Sequence, residues 1–240
     1  MAYVEMICLA NSRKRGGRCV VGLRTDGQGW LRPVAPYEDG ALYGQHYTLD
    51  DGSQAQMLDV LMVDVVEPVP APHQPENWLV GQETWKLVSR PAGRKEAMML
   101  ASHVQRGPEL LRCETNKMPL EAFQGMSARS SAALVAPMHV DWEIKRGFEG
   151  RRQVRARFAL GRVRYDLVVT DPDLEQRLSH LQEGSYYIPS PDDERISERF
   201  LLTISLGEEF NGFHYKLVAG VAAIPRAWRS REGQRQSRAR

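Results

Sequence analysis

The stretch RRQVRARFALGRVRYDLVV, residues 151–169, sorts its side chains onto two faces twice in succession. Val154, Ala156, Phe158 and Leu160 alternate with Gln153, Arg155 and Arg157. Beyond Gly161, Val163, Tyr165, Leu167 and Val169 alternate with Arg162, Arg164 and Asp166. Strict period two marks strands with one buried face, and Gly161 sits where the chain must reverse. The stretch therefore predicts a tight antiparallel hairpin with an apolar underside and an arginine-bearing upper side. Arginine across from arginine is unfavourable in a sheet unless something anionic offsets it. The pattern asks for a partner, and phosphate is the first candidate.

Outward from this hairpin, the second half reads as strands over 134–144, 153–160 and 163–170, a helix over 171–181, and strands over 200–206 and 214–224. Asp171 supplies the helix N-cap, Pro172 suits the first helical position, and Leu174, Leu178 and Leu181 form its apolar stripe. Residues 183–195, with two prolines and an acidic run, read as a long exposed loop that carries Tyr186 and Tyr187. The order β-β-β-α-β-β is that of the five-stranded OB barrel. The first half offers strands over 4–9, 19–23, 30–33 and 57–66, a weakly extended stretch over 42–49, a proline-rich connector over 68–75, and short helices over 95–105 and 119–124. The expected fold is mainly β, a β-rich α+β chain of two tandem OB-like five-stranded barrels with short helices. Its divisions are an N-terminal OB-like domain with helical additions over 1–128, a C-terminal OB-fold domain over 129–225, and a disordered basic tail over 226–240.

Composition narrows the function classes. With 240 residues, 42% hydrophobic and 26% charged, either half can bury a core. The net charge of +2, from 32 basic and 30 acidic residues, excludes a polycation, so any nucleic-acid argument rests on where the charges lie. Lys145, Arg146, Arg151, Arg152, Arg155, Arg157, Arg162 and Arg164 share one window, and six arginines follow Pro225. Cys8, Cys19 and Cys113 have no CxxC spacing, which points away from disulfides and zinc and towards a reduced, cytoplasmic setting. No secretory signal pattern and no apolar run of bilayer length is present. No membrane partner, metal or cofactor is expected.

Four blocks carry a further resemblance: CLANSRKRGGRCVVG (8–22), WLRPV (30–34), HQPENW (73–78) and FNGFHYKLVAGVAAI (210–224). In this order they resemble the bacterial family described as dual OB domain-containing proteins. The resemblance spans nearly the whole chain. It implies two tandem OB-like barrels and a role in nucleic-acid recognition within bacterial conflict or defence loci.

The candidate contacts to a single strand of DNA or RNA are therefore Arg155, Arg157, Arg162 and Arg164 on the hairpin. The glycine-containing loop of the first half adds Arg13, Lys14 and Arg18, with Trp30 and Arg32 arriving on a nearby strand as a stacking and phosphate pair. The loop is not a P-loop, because GxxxxGK[ST] spacing is absent. His73 and Glu76 are an acid–base pair in type, but the intervening proline opposes a helix that would align them, so HQPENW is expected to be a connector in which Trp78 packs and Asn77 satisfies backbone groups. No catalytic residue is assigned. The rival functions are an adaptor that meets a protein partner's acidic surface with the same arginines and, more remotely, a nucleic-acid-processing enzyme.

Overall fold

Strand β1, Ala2–Lys14, carries the run Met6, Ile7, Cys8, Leu9, Ala10, in which every side chain is buried. A strand with one wet face would alternate, so an unbroken apolar run means that both faces are covered. The computed structural model, which describes residues 2–90, 100–123, 130–147, 150–187 and 199–224, shows what covers them. Met6 and Cys8 face the core of a first barrel. Ile7 and Leu9 pack against Leu134, Leu201 and Ala222 of a second.

The first barrel continues with β2 (Gly17–Arg24), β3 (Trp30–Val34), the one-turn helix α1 (Gly44–Tyr47), β4 (Val60–Pro68), β5 (Asn77–Val80) and β6 (Lys86–Ser89). Its strands run β1-β2-β3-β5-β4, and β1 pairs with β4 to close the ring. β3 and β5 are parallel, with Pro33 opposite Trp78. That order, with a parallel third and fifth strand, is the OB topology. Leu31, Leu61, Val63 and Trp85 fill its interior with the inward side chains of β1 and β2.

The second barrel begins with β7 (Lys117–Pro119), a single 3-10 turn at Leu120–Phe123, β8 (Ala132–Val135) and β9 (Val140–Arg146). It continues with β10 (Arg152–Leu160), β11 (Val163–Val169), helix α2 (Pro172–Arg177), β12 (Gly184–Tyr187), β13 (Arg199–Phe210) and β14 (Phe213–Ile224). β8 pairs with β13 and β9 with β10, so the two are one interrupted first strand and the chain between them closes the ring. Pro137 lies in that gap. Proline cannot donate to a ladder, which is why the single strand expected over 134–144 divides in two. β11 and β14 are parallel, with Val168 opposite Leu217, as β3 and β5 are in the first barrel. Trp142, Val154, Ala156, Tyr165, Leu167 and Val218 form the core, closed at one end by Leu174 of α2 and Leu178 just after it. Asp171 caps that helix by accepting from the Asp173 and Leu174 amides, and it also accepts from the Val221 amide at 2.8 Å.

Several expected elements differ. The stretch 42–49 contains α1, and the helix expected over 171–181 ends as α at Arg177. Residues 184–187 are a strand paired with β9, which places Tyr186 and Tyr187 on a sheet edge instead of in a loop. Of the helix expected over 95–105, residues 100–103 are helical and the part before them lies outside the described residues. The remainder of the 183–195 loop, from 188 on, and the basic tail also lie outside them. The segment before residue 123 is fastened to the second barrel: Leu110 joins its core, and the Tyr165 hydroxyl donates to the Pro108 carbonyl at 2.6 Å. The buried Lys216 ammonium, pushed down to about 8 by desolvation, donates to the Cys113 carbonyl at 2.6 Å. Among the described residues no helix is long and apolar enough to cross a membrane.

The two barrels touch backbone to backbone. A Cβ on Gly220 of β14 would lie 2.3 Å from the Leu9 carbonyl oxygen, with Ala10 Cα at 3.1 Å. Gly220→Ala must push β14 away from β1. The expected cost is about 1–3 kcal/mol, as for other overpacked sites, read as a lower denaturant midpoint in urea unfolding. An unchanged midpoint would mean that the barrels do not meet here.

Candidate functional site

The hairpin predicted over 151–169 is β10 and β11, and its arginines point outwards while Val154, Ala156, Phe158 and Leu160 point in. The cross-strand register changes the electrostatic argument. Arg157 lies opposite Asp166 on one side and Asp141 on the other, and Arg155 lies opposite Val168 and Glu143. Arg155 Nε is 2.6 Å from Asp166 Oδ1, and its Nη2 donates to the Asp166 carbonyl at 2.7 Å. Arg157 Nη2 is 2.7 Å from Glu143 Oε1, and Lys145 holds the other oxygen of that carboxylate at 2.9 Å. The expectation that arginine faces arginine across this hairpin is thus corrected. The facing pair is Arg152 and Arg146, where β10 meets β9, and each is bound elsewhere. Arg152 Nη2 donates to the Leu178 carbonyl at 2.6 Å, and Arg146 Nε is 2.9 Å from Glu183.

Towards the turn the face is more open. The Arg162 side chain is 85% exposed, with Glu114 at 3.5 Å. Arg164 is exposed, and its side chain has no hydrogen bond or ion pair among the described residues. The outward face of β10 and β11 therefore grades from a neutralised end at Arg155 to a more open cationic end, where Arg162 has only the exposed contact with Glu114 and the Arg164 side chain is unpaired among the described residues.

The first-barrel candidates have another fate. Arg13 and Lys14 close the β1–β2 hairpin, which docks on the second barrel: the Arg13 amide donates to the Thr170 carbonyl at 2.9 Å. The Arg13 guanidinium meets Glu175 of α2 at 2.5 Å, and Lys14 Nζ meets Glu208 of β13 at 2.7 Å. Trp30 packs between the barrels, against the cluster of Ile7 and Leu134 and that of Ala10 and Ala219. Arg18 lines a polar cavity of about 80 Å³ between the barrels, with Asn11, Gln56 and Asp171.

Arg32 departs furthest from expectation. It is 1% exposed, and its Nη2 lies 3.0 Å from Glu76 Oε1, 2.7 Å from Ser131 Oγ and 3.0 Å from Ser205 Oγ. Nε donates to the same Glu76 oxygen at 3.2 Å, and Nη1 lies 2.7 Å from Cys19 Sγ. Ser131 donates both its hydroxyl and its amide to Glu76. A guanidinium enclosed in this way cannot meet a phosphate from solvent. Its assignment to a nucleic-acid surface is corrected, because the partner it needs is the buried carboxylate of HQPENW.

HQPENW is consequently a joint between the barrels. Gln74 Nε2 donates to the Leu206 carbonyl at 3.3 Å, and the His73 ring stacks on His214 with centroids 4.2 Å apart. Trp78 packs on the first core as expected, whereas Asn77 Nδ2 donates to the Gln74 side chain instead of the backbone. Burial alone would raise the Glu76 carboxyl, but Arg32 and the Ser131 hydrogen bonds outweigh it and hold the group below its ordinary value. Glu208 is held down to about 2, first by the His73 ring nitrogen 3.4 Å away, against desolvation, and then by Lys14.

Sequence reasoning passed over Lys117, whose ammonium sits 3.5 Å over the Phe213 ring. The available signal was FNGF at 210–213, a turn with aromatic rings on both sides.

The family model of the dual OB-containing domain matches residues 4–221. No curated protein matches the chain. Among solved structures, the chain is similar to a murine DNA-binding protein bound with double-stranded DNA, at 7% identity and a TM-score of 0.29, covering 94% of this chain and 98% of that one. It is also similar to the tetrameric p202 HIN2, at 9% identity and a TM-score of 0.27, over 93% and 92%.

Two measurements test the joint. Arg32→Ala strands Glu76 in the interior and should cost about 3–5 kcal/mol in urea unfolding, whereas Arg32→Met with Glu76→Leu should cost less than that single change. A double variant that is worse than Arg32→Ala would refute the pairing. In acid, Glu208 has a folded-state value below its unfolded one, so its contribution is complete above pH 4.5 and is lost as pH falls towards about 2. Glu208→Gln should flatten the stability profile across that window, as followed by thermal melting at a series of pH values.

Proposed function

The chain belongs to the dual OB-containing domain family, and from that premise we propose that it is a nonenzymatic protein that grips single-stranded DNA or RNA. The observation that carries the reading is the open cationic end of the β10–β11 face, Arg162 and Arg164, with Arg157 43% exposed beside it. These are the second and third strands of an OB barrel, whose outward face is the one such folds offer to oligonucleotides. The carboxylates beside Arg157 do not preclude this use. Exposed ion pairs are worth about 0–1 kcal/mol, so a phosphate can replace Glu143 as the partner of Arg157 with little loss. Arg155, by contrast, is committed to Asp166 by two short hydrogen bonds and serves to hold that strand edge in place.

One observation favours a second reading. The row Asp141, Arg157, Asp166 alternates in sign across three strands, which suits a protein surface of matching alternation better than a uniform anion. Under that adaptor reading, association with a partner would survive nuclease treatment.

The deciding experiment is an anisotropy titration of the intact chain with short single-stranded DNA and RNA from low to physiological salt. Changing Arg157, Arg162 and Arg164 together to alanine should weaken binding and lower the slope of log K against log salt by about 2, the share of three phosphate contacts on a single strand. Unchanged affinity and slope in the triple variant would remove this face from the interface. Absence of binding at low salt would remove the function.

A further inference from the structure

The parallel pairing of β11 with β14 brings the starts of both strands to the same end of the second barrel. The turn at Gly161 and Arg162 and the turn at Asn211 and Gly212 therefore lie at the same end of the sheet, with β7 between the two strands. β7 lies against β14 there, with Pro119 opposite Phe213 and Lys117 opposite Tyr215. Along β14, His214, Lys216 and Val218 are buried, so Phe213 and Tyr215 face outwards, on the side shared with Arg164.

The aromatic rings at this end are grouped. Phe210 and Tyr215 have centroids 6.2 Å apart, and Phe213 and Tyr215 are 6.4 Å apart. The Lys117 ammonium sits 3.5 Å over Phe213 and 5.7 Å from the Tyr215 centroid. Phe210 is 54% exposed at the tip of the β13–β14 hairpin. Folding gains nothing from a phenylalanine ring left in water, and a turn at this position is served by polar residues, as Asn211 and Gly212 serve it. Rings with an open face, one cation among them and arginines at the same end of the sheet, beyond β7, make up the composition of a surface for unpaired bases. A duplex hides its base faces, whereas a single strand offers them.

We infer that Phe210, with Phe213, Tyr215 and Lys117, is a base-stacking subsite that extends the Arg162–Arg164 phosphate contacts and selects unpaired nucleotides over duplex. The inference rests on the nucleic-acid reading of the same face. Phe210 takes a base on its open ring, and Lys117 meets the phosphate beside it.

The test compares the intact wild-type chain with Phe210→Ala and Phe210→Trp. The probes are a short oligothymidylate, an abasic single strand of equal length and a duplex, at one low salt concentration. Oligothymidylate should bind the wild type about tenfold more tightly than the abasic strand, since one stacked base is worth roughly that factor. Phe210→Ala should remove the difference, Phe210→Trp should retain it, and binding of duplex should not change. Melting of Phe210→Ala at the wild-type temperature confirms that the fold is intact. Equal binding of abasic and oligothymidylate strands, with no effect of Phe210→Ala, overturns the stacking subsite and leaves the phosphate-binding face standing. No binding of any probe overturns both.

Discussion

A buried guanidinium–carboxylate pair, Arg32 with Glu76, sets the geometry on which the rest of the molecule depends. Both charges belong to the first barrel, on the parallel strand β3 and on the turn that leads into β5. Their remaining hydrogen-bonding capacity is met by Cys19 of the first barrel and by Ser131 and Ser205 of the second. An incompletely satisfied pair in a low-dielectric interior is costly, and removing one partner is costlier still. The barrels therefore complete each other's polar chemistry. The apolar contacts of Ile7, Leu9, Leu134 and Leu201 supply adhesion without direction, while the Arg32 fork supplies position, since its planar donors accept few arrangements.

That joint determines what is left for a ligand. The β1–β2 hairpin carries the first barrel's basic loop, and docking it against Thr170, Glu175 and Glu208 turns Arg13 and Lys14 into intramolecular contacts. Clustered charge in a chain of nearly balanced composition is as readily matched by its own carboxylates as by an external anion. The same matching occurs on the second barrel, where Glu143 and Asp166 neutralise the middle of the arginine face and leave Arg164 unpaired among the described residues and Arg162 with one exposed contact to Glu114. Electrostatic steering of a polyanion depends on charge that remains unpaired. The effective binding end is thus smaller than the cluster of basic residues in the chain, and it lies nearer the turn.

How much of this was legible in the sequence follows from the range of the forces involved. The alternation of β10 and β11, the Asp171 cap and the leucine stripe of α2 are local patterns with periods of two or 3.6 residues, and each appears where the pattern places it. β5 and β12, each of four residues, are too short to show a period and exist because a neighbour supplies the ladder. The break between β8 and β9 was marked by Pro137 and obscured by the apolar residues around it. Arg32 could not be placed from sequence, because its partners stand 44, 99 and 173 residues away, and nothing local separates a buried arginine from an exposed one. The unbroken run from Met6 to Ala10 was the one trace of the joint, since it requires a second body against the outer face of β1.

The parallel third and fifth strands of each barrel give the topology a functional polarity. In a closed ring of this order, strands three and five start at the same end, so the turn before each of them is presented together. In the first barrel the residues near the parallel pair are drawn into the joint: Arg32 on β3 is buried against Ser131 and Ser205, and Gln74, just before β5, donates to the Leu206 carbonyl. In the second barrel the corresponding end faces outwards and carries Arg162, Arg164 and Phe210. Two copies of one architecture have thus been put to different uses. The choice between them was made by which end each barrel lends to the interface: the first spends its cationic strand on holding the pair together, which leaves the second free to keep its cations and rings in water.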